Sequence, residues 1–258
     1  MSVIDLEGVV NFRDFGGGIG AGGRRIREGR LFRSGHHAAA TDADLERLAA
    51  LGFGLFVDLR RPPERARDPA RRPQTPGARL IEHRGPTDQL VAPHLTFLAE
   101  PDATPARVSE QMTAGYRYYP FDPFYVAVYR EYFALLADMD RPILVNCHAG
   151  KDRTGFICAL TLHVLGAPPE DIQEDYLATN RHNRADTRMA EMTAQFEETQ
   201  GRTPSPDLLR AMLSVEPAWL DAAFAAIADQ HGDTDTYLAE VAGLTDDMRQ
   251  AIRARLLV

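Results

Sequence analysis

Apolar positions along this chain follow two rhythms. Short runs rich in branched and aromatic residues, at Val9–Phe12, Leu31–Arg33, Leu55–Leu59 and Ile143–Cys147, read as strands. Between them Thr41–Leu51 reads as a helix: Leu45, Leu48 and Leu51 recur at helical spacing, and Thr41 can cap it with Asp44 three residues on. The Arg- and Pro-rich stretch Arg60–Pro76 reads as a loop, and 91–119 has no clear core face. Pro123 then opens a strong helix with Tyr125, Val128, Tyr129, Tyr132, Phe133 and Leu136 on one stripe. A second apolar helix, Phe156–Leu165, is closed by Gly166 and Pro168-Pro169. Beyond Glu170 the pattern is helical throughout, with stripes at Trp219, Leu220, Phe224, Ile227 and at Met248, Ile252, Leu256. Strands alternating with helices, then a helical tail, predict an α/β fold with a largely parallel sheet flanked by helices.

Composition narrows the function. The 258 residues fit one domain spanning 1–258. Lys and Arg total 29 against 37 Asp and Glu, a net charge of -8, which argues against a nucleic-acid partner; a local basic cluster can still hold a small anion. Two cysteines make no disulfide framework, and eight histidines show neither an HExxH pattern nor Cys/His pairing, so no metal or other cofactor is expected. The first residues lack a basic segment followed by an apolar one, and no apolar run nears the ~20 residues that span a bilayer. The cytoplasm is the expected compartment, although non-classical export would leave no mark. Oligomeric state is left open.

The chemistry gathers in ILVNCHAGKDRTGFICAL at Ile143–Leu160. An apolar strand ends at Cys147, a loop containing Gly150 and Arg153 follows, and the chain turns directly into a helix at Thr154-Gly155. A helix start leaves N–H groups without partners and carries partial positive charge, which makes an anion cradle. Inward amides, the helix end, Lys151 and Arg153 all favour a thiolate at Cys147, the nucleophilic form. The planar fork of Arg153 can grip two phosphoryl oxygens, and the Thr154 hydroxyl can stabilise sulfur as it leaves. Cys158, inside an apolar helix, reads as core. The glycines at Gly16–Gly23 formally contain GxGxxG, but a polar RRIREGR follows, so a flexible turn is the better reading.

Cys, five residues, then Arg-Thr resembles the loop of the protein tyrosine phosphatase superfamily. The fuller CHAGKDRTG, with NFRDFGG at Asn11–Gly17, RLFRSG at Arg30–Gly35, VDLRRPPE at Val57–Glu64 and EDYLATN at Glu174–Asn180, is similar to the bacterial subgroup typified by mycobacterial tyrosine phosphatase B. The resemblance implies a phosphatase working through a phosphocysteine on Cys147, with phosphoproteins or phosphoinositides as substrates. It gives Arg153 the phosphate and makes Asp152 the acid, and His148, Ala149, Gly150, Lys151 and Thr154 complete the phosphate-binding loop. It also implies a helical lid, placed at 91–119. Two departures stand out: Asn146 replaces the frequent His before the nucleophile, and no WPD-type acid loop is present, leaving Asp58, Asp88 and Asp122 as reserve acids. Lys151 can bind a second anion or sit at the rim. The arginines at 60, 61, 65, 67, 71 and 72 read as a solvated loop, the sharper alternative being a docking patch for a phosphoinositide or phosphoprotein. Competing functions are a catalytically idle phospho-binding module and a rhodanese-like sulfurtransferase.

Overall fold

The structure, a computed structural model, describes residues 5–87, 100 and 103–258. The first part of the chain supplies β1 (Arg13–Asp14), β2 (Leu31–Ser34), α1 (Asp42–Ala50), β3 (Leu55–Asp58), α2 (Pro62–Arg67) and β4 (Arg79–Glu82). Then come α3 (Pro105–Tyr118), α4 (Pro123–Asp138), β5 (Ile143–Asn146) and α5 (Asp152–Val164). The tail holds α6 (Pro169–His182), α7 (Ala185–Gln200), α8 (Pro206–Leu213), α9 (Pro217–His231), α10 (Thr234–Glu240) and α11 (Asp246–Leu256).

The strands form one sheet in the order β1-β2-β5-β3-β4, parallel except for β1. Every residue of β2, β3 and β5 is buried, as expected of parallel strands covered on both faces. Alternation sorts their side chains. Phe32, Phe56 and Leu144 join Leu48 of α1 on one face, while Leu31, Leu55, Val57, Ile143 and Val145 meet the α4 and α5 side on the other. The α1 start carries the expected capping box: Thr41 Oγ1 accepts from the Asp44 N–H and Asp44 returns the bond to the Thr41 N–H.

Several expectations need correction. Val9–Phe12 is not a strand, because Asn11 takes φ +59 and turns the chain; the short strand begins at Arg13. Arg60–Pro76 contains α2, started by Pro62-Pro63. The edge strand β4 went unpredicted, since of Arg79–Glu82 only Ile81 is buried. Within 91–119, residues 91–99 and 101–102 lie outside the described residues, but α3 has a core face of Val108, Met112 and Tyr116. The arginine run is a solvated loop only in part: Arg67 and Arg71 are exposed, while others are held inside. Arg60 is fully buried on Asp58, Arg72 bridges Asp58 and Glu82, and Arg71 reaches the Ala40 carbonyl. Among the described residues no single helix is long and apolar enough to cross a membrane.

Candidate active site

β5 is the central strand, and it delivers Cys147 at its carboxyl end, 2% exposed, just before α5 begins at Asp152. This is where open parallel sheets bind ligands. The loop between them is tied down from behind. The His148 carbonyl accepts from the His36 N–H at 3.0 Å. Asn11 Nδ2 donates to the carbonyls of Ala149 (3.3 Å) and Gly150 (2.7 Å), and Arg33 Nη2 donates to Gly150 at 2.9 Å. A trans peptide points N–H opposite to C=O, so tying these three carbonyls outward turns the amides of Ala149, Gly150 and Lys151 to the inner side. Gly150 is obligatory: its φ is +66, and a Cβ there would stand 2.3 Å from the Ser34 carbonyl carbon.

The backing residues are themselves held. Arg33, fully buried, meets Asp175 at 2.5 Å, and Arg13 meets the same carboxylate at 3.1 Å. Burial works to raise the Asp175 carboxyl, and the two guanidiniums outweigh it, leaving it below its usual range. Asn146 donates to Asp58 Oδ1 at 3.1 Å, which fastens the end of β5 to that of β3. Asp58 also accepts from Arg60 and Arg72. Although burial raises its carboxyl, Arg60 and Arg72 take it below normal, so Asp58 stays ionised and is a structural anion rather than a reserve acid.

Arg153 is aimed by a residue that sequence reasoning missed. Glu64 of α2 grips it in a two-bond fork, Nη1 to Oε2 at 2.6 Å and Nη2 to Oε1 at 2.9 Å, and the Leu59 carbonyl accepts from Nη1 at 3.3 Å. Burial opposes ionisation of Glu64, yet Arg153 overrides it and holds the carboxyl far below the carboxylate range. The same pairing overcomes burial at Arg153 and raises it. Glu64 closes the quoted VDLRRPPE motif and sits three residues after Arg61, a capping position; that was its only signal. Thr154 is fully buried, and its Oγ1 has no hydrogen-bond partner among the described residues.

Asp152 opens α5. Its Oδ1 accepts from the Tyr116 hydroxyl at 3.0 Å and lies 3.7 Å from Lys151 Nζ. Lys151 is neither a rim residue nor a free second-anion binder: it is 5% exposed, and its ammonium donates to the carbonyls of Met212 (2.6 Å) and Ser214 (2.9 Å) at the end of α8. Burial lowers its pKa and Asp152 opposes that. Of the reserve acids, Asp88 lies outside the described residues and Asp122 is the N-cap of α4, accepting from the Phe124 and Tyr125 N–H groups. Cys158 is fully buried, its thiol pushed up to about 12 by burial, as befits core.

A cavity of about 690 Å³ joins Cys147, Asp152 and Arg153 to Tyr119, Tyr125 and His83, with Val108, Met112, Met192 and Met212 as apolar wall. Beside the loop, His36, Asp68 and His148 bring possible ligand atoms within 4.8 Å of one another. The two imidazoles stack at 4.7 Å with 18° between planes, so no single ion can lie in both ring planes, where the lone pairs point. That cluster does not fit a metal.

A model of the tyrosine phosphatase family matches residues 4–258. A Cupriavidus necator protein assigned to the tyrosine-protein phosphatases is 37% identical over 246 residues, 91% of this chain and 82% of its own. The triple specificity protein phosphatase PtpB of Mycobacterium tuberculosis is 32% identical over 281 aligned positions, covering 100% of both chains. A tyrosine-protein phosphatase of Nostoc commune is 26% identical over 84% of this chain and 70% of its own.

Proposed function

The chain belongs to the tyrosine phosphatase family and is a cysteine-dependent phosphatase; on that footing we propose how its own residues carry the reaction. Cys147 Sγ, as thiolate, attacks phosphorus in line with the ester oxygen. The S–P bond forms, the P–O bond breaks, and the departing oxygen takes a proton from Asp152. Water then attacks the phosphocysteine, gives its proton back to Asp152, and expels the Cys147 thiolate and inorganic phosphate; the Thr154 hydroxyl supports the sulfur as it leaves. Arg153 and the amides of His148, Ala149, Gly150 and Lys151 carry the phosphoryl charge through both steps. Lys151 thus contributes its peptide rather than its ammonium. The observation that supports this reading best is the outward tethering of three loop carbonyls beside an Arg153 already aimed by Glu64.

The cavity is far larger than a phosphate ion and has aromatic walls, which supports phosphotyrosine-type esters; phosphoserine or phosphothreonine and phosphoinositides are the alternatives. PtpB carries three specificities in its name, which makes a parallel screen on phosphopeptides and inositol lipids the deciding measurement. The described part of the expected lid, α3, supports a cover that excludes water from the intermediate. A nucleophilic thiol must stay reduced to act, which suits a reducing compartment, and we propose the cytoplasm as the place of action. Rapid-mixing with p-nitrophenyl phosphate should give a stoichiometric burst, and Cys147→Ser should abolish turnover while still binding the ester. Comparable turnover in that variant would refute the covalent route. Burst release also removes the idle-module reading, and a thiosulfate assay the sulfurtransferase.

A further inference from the structure

Two buried phenols form a chain that ends on Asp152. Tyr176 of α6 donates to the Tyr116 hydroxyl at 2.7 Å, and Tyr116 of α3 donates to Asp152 Oδ1 at 3.0 Å. The polarity follows from the end of the chain: a carboxylate can only accept, so the single Tyr116 hydrogen goes to Asp152 and the Tyr176 hydrogen to Tyr116. Both residues are 0% exposed. Burial, then the nearby Asp152 charge, raises the Tyr116 phenol well above its ordinary range, so it remains a donor throughout turnover. Lys151 Nζ approaches the same oxygen, Oδ1, at 3.7 Å. One hydrogen-bond donor and one positive charge therefore face the same carboxyl oxygen.

Building on Asp152 as the acid of the proposed reaction, we infer that Tyr116, steadied by Tyr176, is a positioning residue that confines the transferable proton to Asp152 Oδ2 and orients that oxygen toward the leaving group. A proton on Oδ1 would force the chain to reverse, Asp152 donating to Tyr116 and Tyr116 to Tyr176, and the buried Tyr176 hydrogen would lose its acceptor. The carboxyl plane is fixed in turn. Tyr116 cannot drift, because α3 is anchored to α9 by Trp219 Nε1 donating to Ser109 Oγ at 3.2 Å, with Ser109 donating to Glu216 at 2.8 Å. Gly155, next to the loop, has no Cβ because one would stand 2.8 Å from the Tyr176 ring. The α3 cover and the acid are thus one mechanical unit.

The test is kcat/KM for wild type, Tyr116→Phe, Tyr176→Phe and Asp152→Asn across aryl phosphates, from the good leaving group p-nitrophenol to the poor one phenol. Acid positioning matters most when the departing oxygen most needs its proton. Tyr116→Phe should lose roughly tenfold on phenyl phosphate and less than about threefold on p-nitrophenyl phosphate. Tyr176→Phe should repeat the pattern at smaller size, with Asp152→Asn the steepest of all. A purely structural role would slow every ester equally, and uniform loss in both tyrosine variants, or none, overturns the inference. A flat series for Asp152→Asn instead removes the acid assignment itself, and this inference falls with it. Thermal melts of each variant identify any that misfolds, and Tyr176→Phe then carries the comparison alone.

Discussion

Arg153 serves a phosphoryl group well only if its guanidinium plane is already aimed when substrate arrives, and Glu64 aims it. The fork uses both carboxylate oxygens, so Glu64→Gln keeps the shape but replaces one acceptor with a donor facing a cation. We predict that Glu64→Gln loses on the order of 100-fold in kcat/KM, since a misplaced group near the chemistry costs about that much, and that orthovanadate inhibits it less tightly. Activity within a few-fold of wild type would show that Arg153 aims itself. Distance along the chain explains why the nucleophile was legible and its support was not. Cys147, Asp152, Arg153 and Thr154 are neighbours, so their spacing alone spells an anion loop. Glu64 lies 89 residues from Arg153, Arg33 117 from Gly150 and Asn11 139 from Gly150. Each sat in a quoted motif, yet no spacing rule links a carboxylate or an amide to a partner that only the folded sheet brings near.

Elements divide along the same line. A helix shows in sequence when its stripe is wide, as in α4, or its cap is written beside it, as in α1. α3 has a stripe only three residues wide among the polar ones, and β4 buries a single side chain, so neither rises above its surroundings. Their roles come from contact: α3 contributes Tyr116 and α8 receives Lys151. Because the Lys151 ammonium is engaged with the last carbonyls of α8 and stands 5.4 Å over the Trp219 ring, its side chain is a strut between the loop and the helical tail. Lys151→Met, which keeps the stem and drops the charge, should therefore lower Tm and speed amide exchange in α8 while changing KM for p-nitrophenyl phosphate by less than about threefold, the loop amide being intact. A large rise in KM with unchanged exchange would restore the ammonium to phosphate binding.

At the scale of the whole molecule, acid sensitivity follows from where histidines are buried. His37 is 2% exposed, with Nε2 3.0 Å from Ser34 Oγ beneath the cradle, and burial, only partly offset by Asp58, lowers it to about 4. His83, packed on Tyr125, is lowered by burial and by Arg153 to about 4. Both are neutral in the native state at pH 6, whereas in the unfolded chain they take up protons below about 6.5. The unfolded state then binds more protons, so stability falls with pH across the window from about 6.5 to about 4. For His37, buried by any measure, the loss is on the order of 2–3 kcal/mol at the bottom of that window. The depressed carboxylates Glu64, Asp58 and Asp175 work differently: their contribution is complete above about pH 5.5 and is lost as pH falls below it. Urea midpoints measured from about pH 7 to about pH 5.5 thus isolate the histidines. They should drop steadily, and His37→Gln, which keeps a neutral polar partner for Ser34, should flatten part of the slope. An unchanged slope in that variant would mean that His37 is reached by water and protonates in the folded protein much as it does in the open chain.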